Sequence, residues 1–387
     1  MKTHTPRSDL GRWSILCALL TTACGSGGGT SANPDAAAGF PDAANVDSGH
    51  ITDGPADSAV VPPGDAAAPP DVSIAPGPDD GLPAGFCPLP RFPDDAAWNQ
   101  RVDGAALAPA SDVLIAHLQA VGFGFGRFQV DFSPDVICAN AAEPPQPFTP
   151  TGDFFSPDCD QAPVPLPAGG NIEGEAGYAC LSDGDCHLLV NQPGLHRLYE
   201  MWRANVTNAG FDGGCLAVWD TAVAPPPEGR GQDCTSADAA GLPMSALLFD
   251  ADEIAAGSID HAIRFILPND RIRHLAYVHP ATHSTRAASG LDDSLPYGAR
   301  LRLRANFDVA SLPPAAQVVA RALQTYGMIL SDGGNIALTA RSDRHTTHKW
   351  DALGFDSHAL VAIHPQDFEV VDSGQVFNFA GNCVRTP

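Results

Sequence analysis

The stretch 234–283 concentrates histidines, carboxylates and arginines within an otherwise ordinary β-type sequence. Ionisable groups at this density are costly to bury unless they are paired, exposed or used in chemistry, so the stretch predicts a functional site. Residues elsewhere in the chain complete the set of candidates. The candidate catalytic residues are Glu200, Asp238, Asp252, Asp332, His187, His261, His283 and Arg264.

The carboxylates suggest glycoside hydrolysis, which needs two carboxyl groups about 5 to 10 Å apart, one as acid and one as nucleophile or base. Glu200 follows Tyr199 in an apolar, strand-like segment, where burial would raise its pKa toward the acid role. Asp238 lies in a loop of small residues that could hold a carboxylate rigidly. The structural alternative is that Asp238 binds loop amides and that Glu200 pairs with an arginine such as Arg302.

The histidines suggest a second chemistry, polysaccharide elimination. A lyase needs a cation such as Arg264 to neutralise a uronate and a histidine to remove the α-proton. A strand through 260–264 would place His261 and Arg264 on opposite faces, which weakens that pairing. The alternative is a histidine satisfied by the backbone and an arginine in a surface ion pair.

Metal, serine and nucleotide chemistry have weaker signals. The three candidate histidines, with Glu200 as a fourth ligand, could bind a divalent metal, but no H-x-H or H-E-x-x-H motif occurs. We therefore predict no cofactor and keep a divalent metal as the alternative. No G-x-S-x-G motif occurs, and the glycine-rich segment 122–126 runs into a predicted strand rather than opening a helix.

Short alternating apolar runs must position these residues. Period-two alternation bounded by Gly, Pro and Asp is typical of half-buried antiparallel strands, so we predict an all-β fold, an antiparallel β-sandwich or jelly roll. Two or three short helices are expected, the clearest at 106–121 and 314–326. The predicted strands include 128–132, 187–190, 216–219, 262–265, 275–278 and 300–304.

Eight cysteines of the predicted domain favour an oxidising compartment and four disulfides. Structural zinc is the rival interpretation, but no C-x-x-C pair occurs. We predict Cys180 with Cys186, Cys215 with Cys234, Cys138 with Cys159, and Cys87 with Cys383.

A family resemblance extends over nearly the whole predicted domain. The segments that carry it are 128–133, 185–187, 198–200, 236–243, 252–253, 261–265, 280–283, 298–303 and 326–332. In this order they resemble a family of secreted bacterial and fungal proteins with GDRH, LYE, SADAAGLP, YDE, HAxRF, PAxH, MGxRLRL and YGxxxADNG blocks. The resemblance implies a secreted, β-rich module, often near carbohydrate-active contexts, and no particular reaction. The chain departs from it at Cys186, Ala251 and Gly334, where the family has Arg, Tyr and Asn.

The N-terminus resembles a bacterial lipoprotein signal. Lys2, Arg7 and Arg12 precede an apolar stretch at 13–20 that is too short to span a bilayer, and small residues then lead into Cys24. The resemblance implies removal of residues 1–23 and acylation of Cys24, although Thr21 stands where the motif prefers leucine. We expect an exported protein, lipid-anchored to the outer membrane.

Residues 24–84 read as a disordered tether and 85–387 as a single domain. From 25 to 84 there is no Lys, Arg or Glu and one aromatic residue other than histidine, Phe40. The tether contributes part of the net charge of −24, and that charge argues against a nucleic-acid partner. We therefore predict a monomeric surface lipoprotein whose β-domain acts on a glycan as hydrolase or lyase. The alternative is a non-catalytic carbohydrate-binding or surface interaction module.

Overall fold

Five β-sheets and four α-helices form the regular structure of residues 86–182 and 184–385, the part of the chain that this computed structural model describes. The predicted signal peptide, Cys24 and the tether lie outside these residues. No helix within them has the length and apolar character needed to cross a membrane. The helices are α1 (Ser111–Val121), α2 (Ala251–Ala256), α3 (Pro314–Thr325) and α4 (Trp350–Leu353).

The strands are short and are spread along the whole described chain. They are β1 (Val130–Asp131), β2 (Val136–Cys138), β3 (Pro145–Gln146), β4 (Thr149–Pro150), β5 (Val164–Pro165), β6 (Leu188–Gln192), β7 (Arg197–Trp202), β8 (Asn205–Thr207), β9 (Gly210–Gly213), β10 (Cys215–Asp220), β11 (Ile263–Leu267), β12 (Ile272–Val278), β13 (Leu295–Tyr297), β14 (Arg300–Leu303), β15 (Met328–Gly333), β16 (Leu338–Thr339), β17 (Phe368–Val370) and β18 (Val376–Asn378).

A six-stranded sheet in the order β1-β16-β11-β15-β14-β17 carries the larger apolar core. Its central strand β11 places Ile263, Phe265 and Leu267 on one face, and all three are fully buried. Helix α3 contributes Val319 and Leu323 to the same cluster. Burial of these side chains stabilises the sheet by roughly 2 kcal/mol each before the entropy of ordering them is counted.

A second sheet, β10-β7-β6-β2, has a core cluster of its own that includes Leu188, Val190, Met201 and Leu216. Strand β7 pairs antiparallel with β6 and with β10, so the three form a meander. Smaller sheets join β13-β12-β18, β3-β5 and β4-β9-β8.

The six predicted strand segments all overlap strands, and the prediction of a β-rich chain with few helices is confirmed. Strand pairing is mixed, however. The pairs β1–β16, β2–β6, β4–β9, β11–β15 and β12–β13 are parallel, whereas alternation predicted antiparallel strands. The direction of a strand depends on which distant segment it pairs with, and short apolar runs do not carry that information. The sandwich or jelly roll itself stays a prediction.

Of the two helices given with bounds, one was predicted correctly along its length and the other was predicted to begin too early. Helix α3 lies where it was predicted, but α1 begins at Ser111 instead of at 106. The preceding residues are extended because Leu107 forms an isolated bridge with Val371 and the Ala108 amide donates to the Val370 carbonyl. Helix α2 was not predicted. Its N-terminus is a capping box, in which the Asp250 side chain accepts from the Glu253 amide while the Glu253 side chain accepts from the Asp250 amide.

All eight predicted cysteines form disulfides, but only the Cys180–Cys186 pairing was predicted correctly. The observed partners of the other six are Cys87–Cys138, Cys159–Cys215 and Cys234–Cys383. Tertiary contacts decide these pairings. For example, the Asp160 amide donates to the Leu216 carbonyl, so the chain at Cys159 runs beside the start of β10.

We predict that removing the Cys159–Cys215 disulfide destabilises the protein more than removing Cys180–Cys186. The two bonds close loops of 56 and 6 residues in sequence separation, and chain entropy then gives contributions of about 4 and about 2 kcal/mol. Denaturant unfolding of the two double serine variants, compared with the parent protein, measures the difference. A larger loss for the Cys180→Ser, Cys186→Ser variant would contradict the prediction.

Candidate functional site

A buried arginine, Arg264 on β11, is the centre of the candidate site. Its Nη2 lies 2.7 Å from Asp238 Oδ1 and 2.8 Å from Asp332 Oδ2, and its Nη1 donates to Thr339 Oγ1 over 2.9 Å. The residue is only 5% exposed. Burial alone would lower the pKa of Arg264, but the two carboxylates raise it, so the guanidinium is charged.

Strand neighbours bring two of these partners to Arg264. Strands β16 and β15 lie on either side of β11, and they carry Thr339 and Asp332. The register of β11 against β15 shifts between Phe265 and Ile266, which places Asp332 opposite Ile266. A bulge of this kind redirects side chains, and here it brings the Asp332 carboxylate to the guanidinium.

The loop between β10 and α2 supplies the third partner, Asp238, which is fully buried. Ser236 Oγ accepts from the Asp238 amide and lies 2.7 Å from the Leu242 carbonyl oxygen, which closes the loop on itself. Gly241 has φ +77°, and a Cβ there would approach the Cys234 carbonyl oxygen to 2.6 Å. Only glycine fits this turn without moving the backbone.

A second charged pair, His187 with Glu173, lies beside this loop. The His187 Nδ1 is 2.6 Å from Glu173 Oε2 and its Nε2 is 3.1 Å from the Ala237 carbonyl oxygen. Both partners are acceptors, so both ring nitrogens donate, as in an imidazolium. Burial opposes the charge, but Glu173 raises the pKa of His187 to about 9.

Glu173 is stabilised as a carboxylate by the same pair. Burial would raise the pKa of Glu173, but the charge and the hydrogen bonds of His187 lower it to about 2. Ser133 Oγ lies 3.0 Å from Glu173 Oε1 and 2.9 Å from Asp131 Oδ2, so it links these two carboxylates. Burial and the charge of Glu173 raise the pKa of Asp131.

Asp332 is the site carboxylate best suited to exchange a proton. Its side chain is 23% exposed, whereas that of Asp238 has no exposure. Burial raises the pKa of Asp332 to about 7, with the charges of Asp238 and Asp185 adding to the effect and that of Arg264 opposing it. Because the Asp238 and Asp332 oxygens contact the same Nη2 atom, they lie no more than about 5.5 Å apart, close enough for mutual repulsion to favour one proton on the pair.

Asp185 is an exposed carboxylate close enough to Asp332 to affect its pKa. The Trp202 indole Nε1 donates to Asp185 Oδ1 over 3.0 Å, and the Arg203 guanidinium carbon lies 5.3 Å from the Trp202 ring centroid. These contacts orient the Asp185 carboxylate, whose charge acts on Asp332. The site therefore combines a carboxyl group that is partly protonated at neutral pH with an exposed second carboxylate.

Of the eight predicted catalytic residues, the structure brings together four: His187, Asp238, Arg264 and Asp332. The other four make contacts that stabilise the fold. Glu200 is fully buried and accepts from the Trp219 indole and from the Met244 and Ser245 amides. The predicted alternative of a Glu200–Arg302 pair is wrong, because Arg302 binds Glu369.

The remaining three candidates bond to other groups than Arg264 and its carboxylate partners. They are His261, Asp252 and His283. His261 Nε2 is 3.3 Å from Glu253 Oε1 on α2. Asp252 accepts from the backbone amides of Thr347 and His348. His283 Nδ1 lies 2.7 Å from the Ala239 carbonyl oxygen, and its ring packs on Phe379.

A metal site built from His187, His261, His283 and Glu200 is not assembled in the described part of the chain. The one group of three metal-binding side chains found there consists of Asp158, Cys234 and Cys383, whose ligand atoms lie within 4.8 Å of one another. Both sulfurs are in a disulfide and cannot act as thiolate ligands.

Three acidic residues of the site were not among the candidates chosen from the sequence: Asp131, Glu173 and Asp185. Asp131 and Asp185 fall within the blocks 128–133 and 185–187 that carry the family resemblance. Glu173 had no such signal, because its partner His187 is distant in the sequence and only the tertiary fold pairs them.

Comparison of the chain with protein-family models, with curated proteins and with solved structures finds no match. The site must therefore be interpreted from its own geometry.

We predict that Glu173→Gln lowers the free energy of unfolding most between about pH 4.5 and 6.5. The pKa of His187 is raised from 6.5 to about 9, so its contribution is complete below pH 6.5 and is lost as the pH rises toward 9. The pKa of Glu173 is lowered from 4.5 to about 2, so its contribution is complete above pH 4.5 and is lost toward pH 2. The expected maximal loss is about 3 kcal/mol, measured by denaturant unfolding at several pH values.

Glu369→Gln is the matched control for this measurement. Glu369 is similarly buried, with a side chain 13% exposed against 15% for Glu173, but its partner is an arginine, Arg302, instead of a histidine. Arginine side chains as a class keep their charge in proteins, whereas histidine side chains change theirs near neutral pH. The loss of stability of the Glu369→Gln variant should therefore be constant between about pH 6 and 9. A Glu173→Gln loss that is equally constant would show that the His187 charge is unimportant.

Proposed function

We propose that this protein is an exported, lipid-anchored, monomeric enzyme of the cell envelope that hydrolyses a glycan. The observation that carries the proposal is the state of Asp332, a partly exposed carboxyl group whose pKa is raised to about 7 by burial and by neighbouring acidic groups. A carboxylic acid that keeps its proton near neutral pH is what a glycosidase needs to protonate a leaving-group oxygen.

Asp185 is the partner that best suits the second role. It is exposed and oriented by the Trp202 indole, whereas Asp238 is fully enclosed and cannot touch a sugar. Asp332 would donate its proton to the glycosidic oxygen as the bond from that oxygen to the anomeric carbon breaks. Asp185 would either attack the anomeric carbon itself or accept a proton from the water that does so. In both cases the elements of water are added across the bond.

Arg264 and Asp238 are positioning residues in this scheme. Arg264 holds the Asp332 carboxyl group through a 2.8 Å hydrogen bond, and Asp238 contributes the nearby negative charge that favours the protonated form of Asp332. Neither needs to contact the substrate. Asp238 Oδ2 is buried without a hydrogen-bond partner among the described residues, a costly state that is consistent with a shared proton.

The same contacts favour hydrolysis over elimination. A lyase would use Arg264 to neutralise a uronate, but two carboxylates already occupy that guanidinium. A lyase would also need a neutral imidazole as its base, whereas Glu173 raises the pKa of His187 to about 9. The acidic groups Asp185 and Asp332 would repel a uronate, so the favoured substrate is a neutral or amino sugar.

The deciding experiment is to incubate the purified protein with a panel of neutral, amino and acidic polysaccharides, with and without a chelator. We expect new reducing ends without the ultraviolet absorbance of an unsaturated uronate, and no effect of the chelator. Unsaturated products would make the protein a lyase. Retention without products would make it a binding module. The absence of both products and retention would contradict a role in glycan metabolism.

We predict that Asp332→Asn lowers kcat on the processed polysaccharide by about 10² to 10⁴ with little change in KM, because proton donation is needed in the transition state and not for binding. The high-pH limb of the parent rate profile, which should fall near pH 7 as Asp332 loses its proton, should be absent in the variant.

Asp252→Asn is the matched control, since the two side chains are 22% and 23% exposed and both accept hydrogen bonds. Asp252 binds backbone amides near His348, so this variant should keep its full kcat. Equal losses in both variants, or an unchanged high-pH limb in Asp332→Asn, would remove Asp332 from the acid role.

The proposed anchor is tested separately. Replacement of Cys24 by serine removes the acylated thiol, so we predict that the variant no longer partitions with membranes or into a detergent phase and is found in the soluble exported fraction. Fractionation and fatty-acid labelling of parent and variant measure this. A Cys24→Ser variant that stays membrane-bound would show that attachment does not depend on this cysteine.

A further inference from the structure

An open groove of about 480 Å³ lies beside β10, the edge strand of the four-stranded sheet. The chain at Asp160 runs along this edge, because its amide donates to the Leu216 carbonyl and its carboxylate accepts from the Val218 amide. The groove is of the size that small-molecule sites have. Its lining includes Asp160, Gln161, Arg197, Trp219, Asp220 and Arg385.

Arginines are concentrated here, although the chain carries a net charge of −24. Arg230 and Arg385 share the carboxylate of Asp160, at 2.8 and 2.9 Å, and both also donate to the Asp158 carbonyl oxygen. Arg197 forms a third ion pair at the groove with Asp220. The lining itself holds two guanidinium groups, of Arg197 and Arg385, and two carboxylates, of Asp160 and Asp220. Arg230 adds a third guanidinium to this cluster, and the nearby Asp158 carboxylate, which accepts from the Thr235 amide, adds a third carboxylate.

The shared carboxylate leaves Arg230 incompletely compensated. Its side chain is 4% exposed, and its Nε is buried without a hydrogen-bond partner among the described residues. Burial lowers the pKa of Arg230, and the charge of Arg385 acts in the same direction, although Asp160 opposes both. A further anion in the groove would stabilise this cluster.

The arginines that a ligand could reach are Arg385 and Arg197. Their side chains are 30% and 41% exposed. The Arg197–Asp220 pair is a surface pair, so a ligand can replace Asp220 at little cost. Guanidinium groups match carboxylates in planar, two-point hydrogen bonds. Gln161, which is exposed, adds an amide that can hydrogen-bond to the hydroxyls of a sugar.

We propose that this groove is a second binding site, which takes a carboxylate-bearing sugar residue on Arg385 and Arg197. It differs from the Asp332 site in its preference. The groove with its arginines would select an acidic sugar, whereas the carboxylates of the Asp332 site would select a neutral or amino sugar. The proposal does not require that the protein be a hydrolase.

The test is calorimetric titration of the purified protein with a trimer of galacturonic acid at low ionic strength. The trimer should bind with one site per chain, and a neutral galactose trimer should not bind. Arg385→Gln and Arg197→Gln should each weaken binding by about tenfold, the loss expected for one charged hydrogen-bonding partner. Arg321→Gln is the control, because Arg321 is exposed on α3 and bonds only to Gln317 among the described residues; it should leave the affinity unchanged.

Further arms separate the alternatives. Asp332→Asn should bind the acidic trimer as tightly as the parent protein, and loss of binding in that variant would place the trimer at the Asp332 site. Sodium sulfate should not displace the trimer beyond the effect of sodium chloride at equal ionic strength, and stronger displacement would make the groove a general anion site. If the Arg385→Gln variant unfolds at a lower denaturant concentration than the parent protein, the affinity of the Arg197→Gln variant decides the outcome, because Arg197 is more exposed. Absence of trimer binding, or equal binding of the neutral trimer, overturns the proposal.

Discussion

The bonds of Arg264 to Asp238 and Asp332 are the interaction on which the site depends. The guanidinium is 5% exposed and Asp238 is fully buried, so neither charge could be accommodated there alone. Loss of one partner from such a buried pair costs about 3 to 5 kcal/mol, because the other charge is left without compensation. The pairing therefore fixes the position of the 235–243 loop relative to the six-stranded sheet.

This constraint connects the six-stranded sheet with the four-stranded sheet, which contributes side chains to the larger apolar core and also has a cluster of its own. Arg264 and Thr339 belong to the six-stranded sheet, while His187 lies just before β6 of the four-stranded sheet. The loop carrying Asp238 lies between them, since Asp238 bonds to Arg264 and the adjacent Ala237 carbonyl accepts from His187. Charged hydrogen bonds are directional, so they specify one relative arrangement of the segments at this point more sharply than apolar packing does.

Much of the local structure could be predicted from the sequence, because local patterns determine it. Alternating apolar runs located the strands, and the start and stop signals at Ser311 and Gly327 located α3. The capping box of Asp250 and Glu253 is equally local in the sequence, but α2, which it begins, was not predicted. Strand direction and three of the four disulfides were mispredicted, since both depend on which distant segments meet, as Cys159 and Cys215 do.

The candidate site was half predictable for the same reason. Asp238, Arg264, His187 and Asp332 were identified from residue type and density, but the same reasoning chose Glu200, which binds backbone amides and the Trp219 indole. A carboxylate in an apolar strand is equally consistent with a catalytic acid and with a buried hydrogen-bond acceptor. Only its neighbours distinguish the two, and Glu173 was missed because its partner is known only from the fold.

The distribution of charge is the basis for proposing two sites of opposite preference in one acidic protein. Salt screens the interaction between exposed charges that are more than about 10 Å apart. The net charge of the chain therefore affects solubility and encounter with a partner more than local recognition. Within that distance the local groups decide. Around Asp332, burial raises the pKa of the carboxyl group, with the charges of Asp238 and Asp185 adding to the effect and that of Arg264 opposing it. At Asp160 two arginines share one carboxylate, and burial together with the charge of Arg385 lowers the pKa of Arg230. In the proposed scheme these local groups determine what each cluster binds: the first retains a proton, and the second accepts an anion.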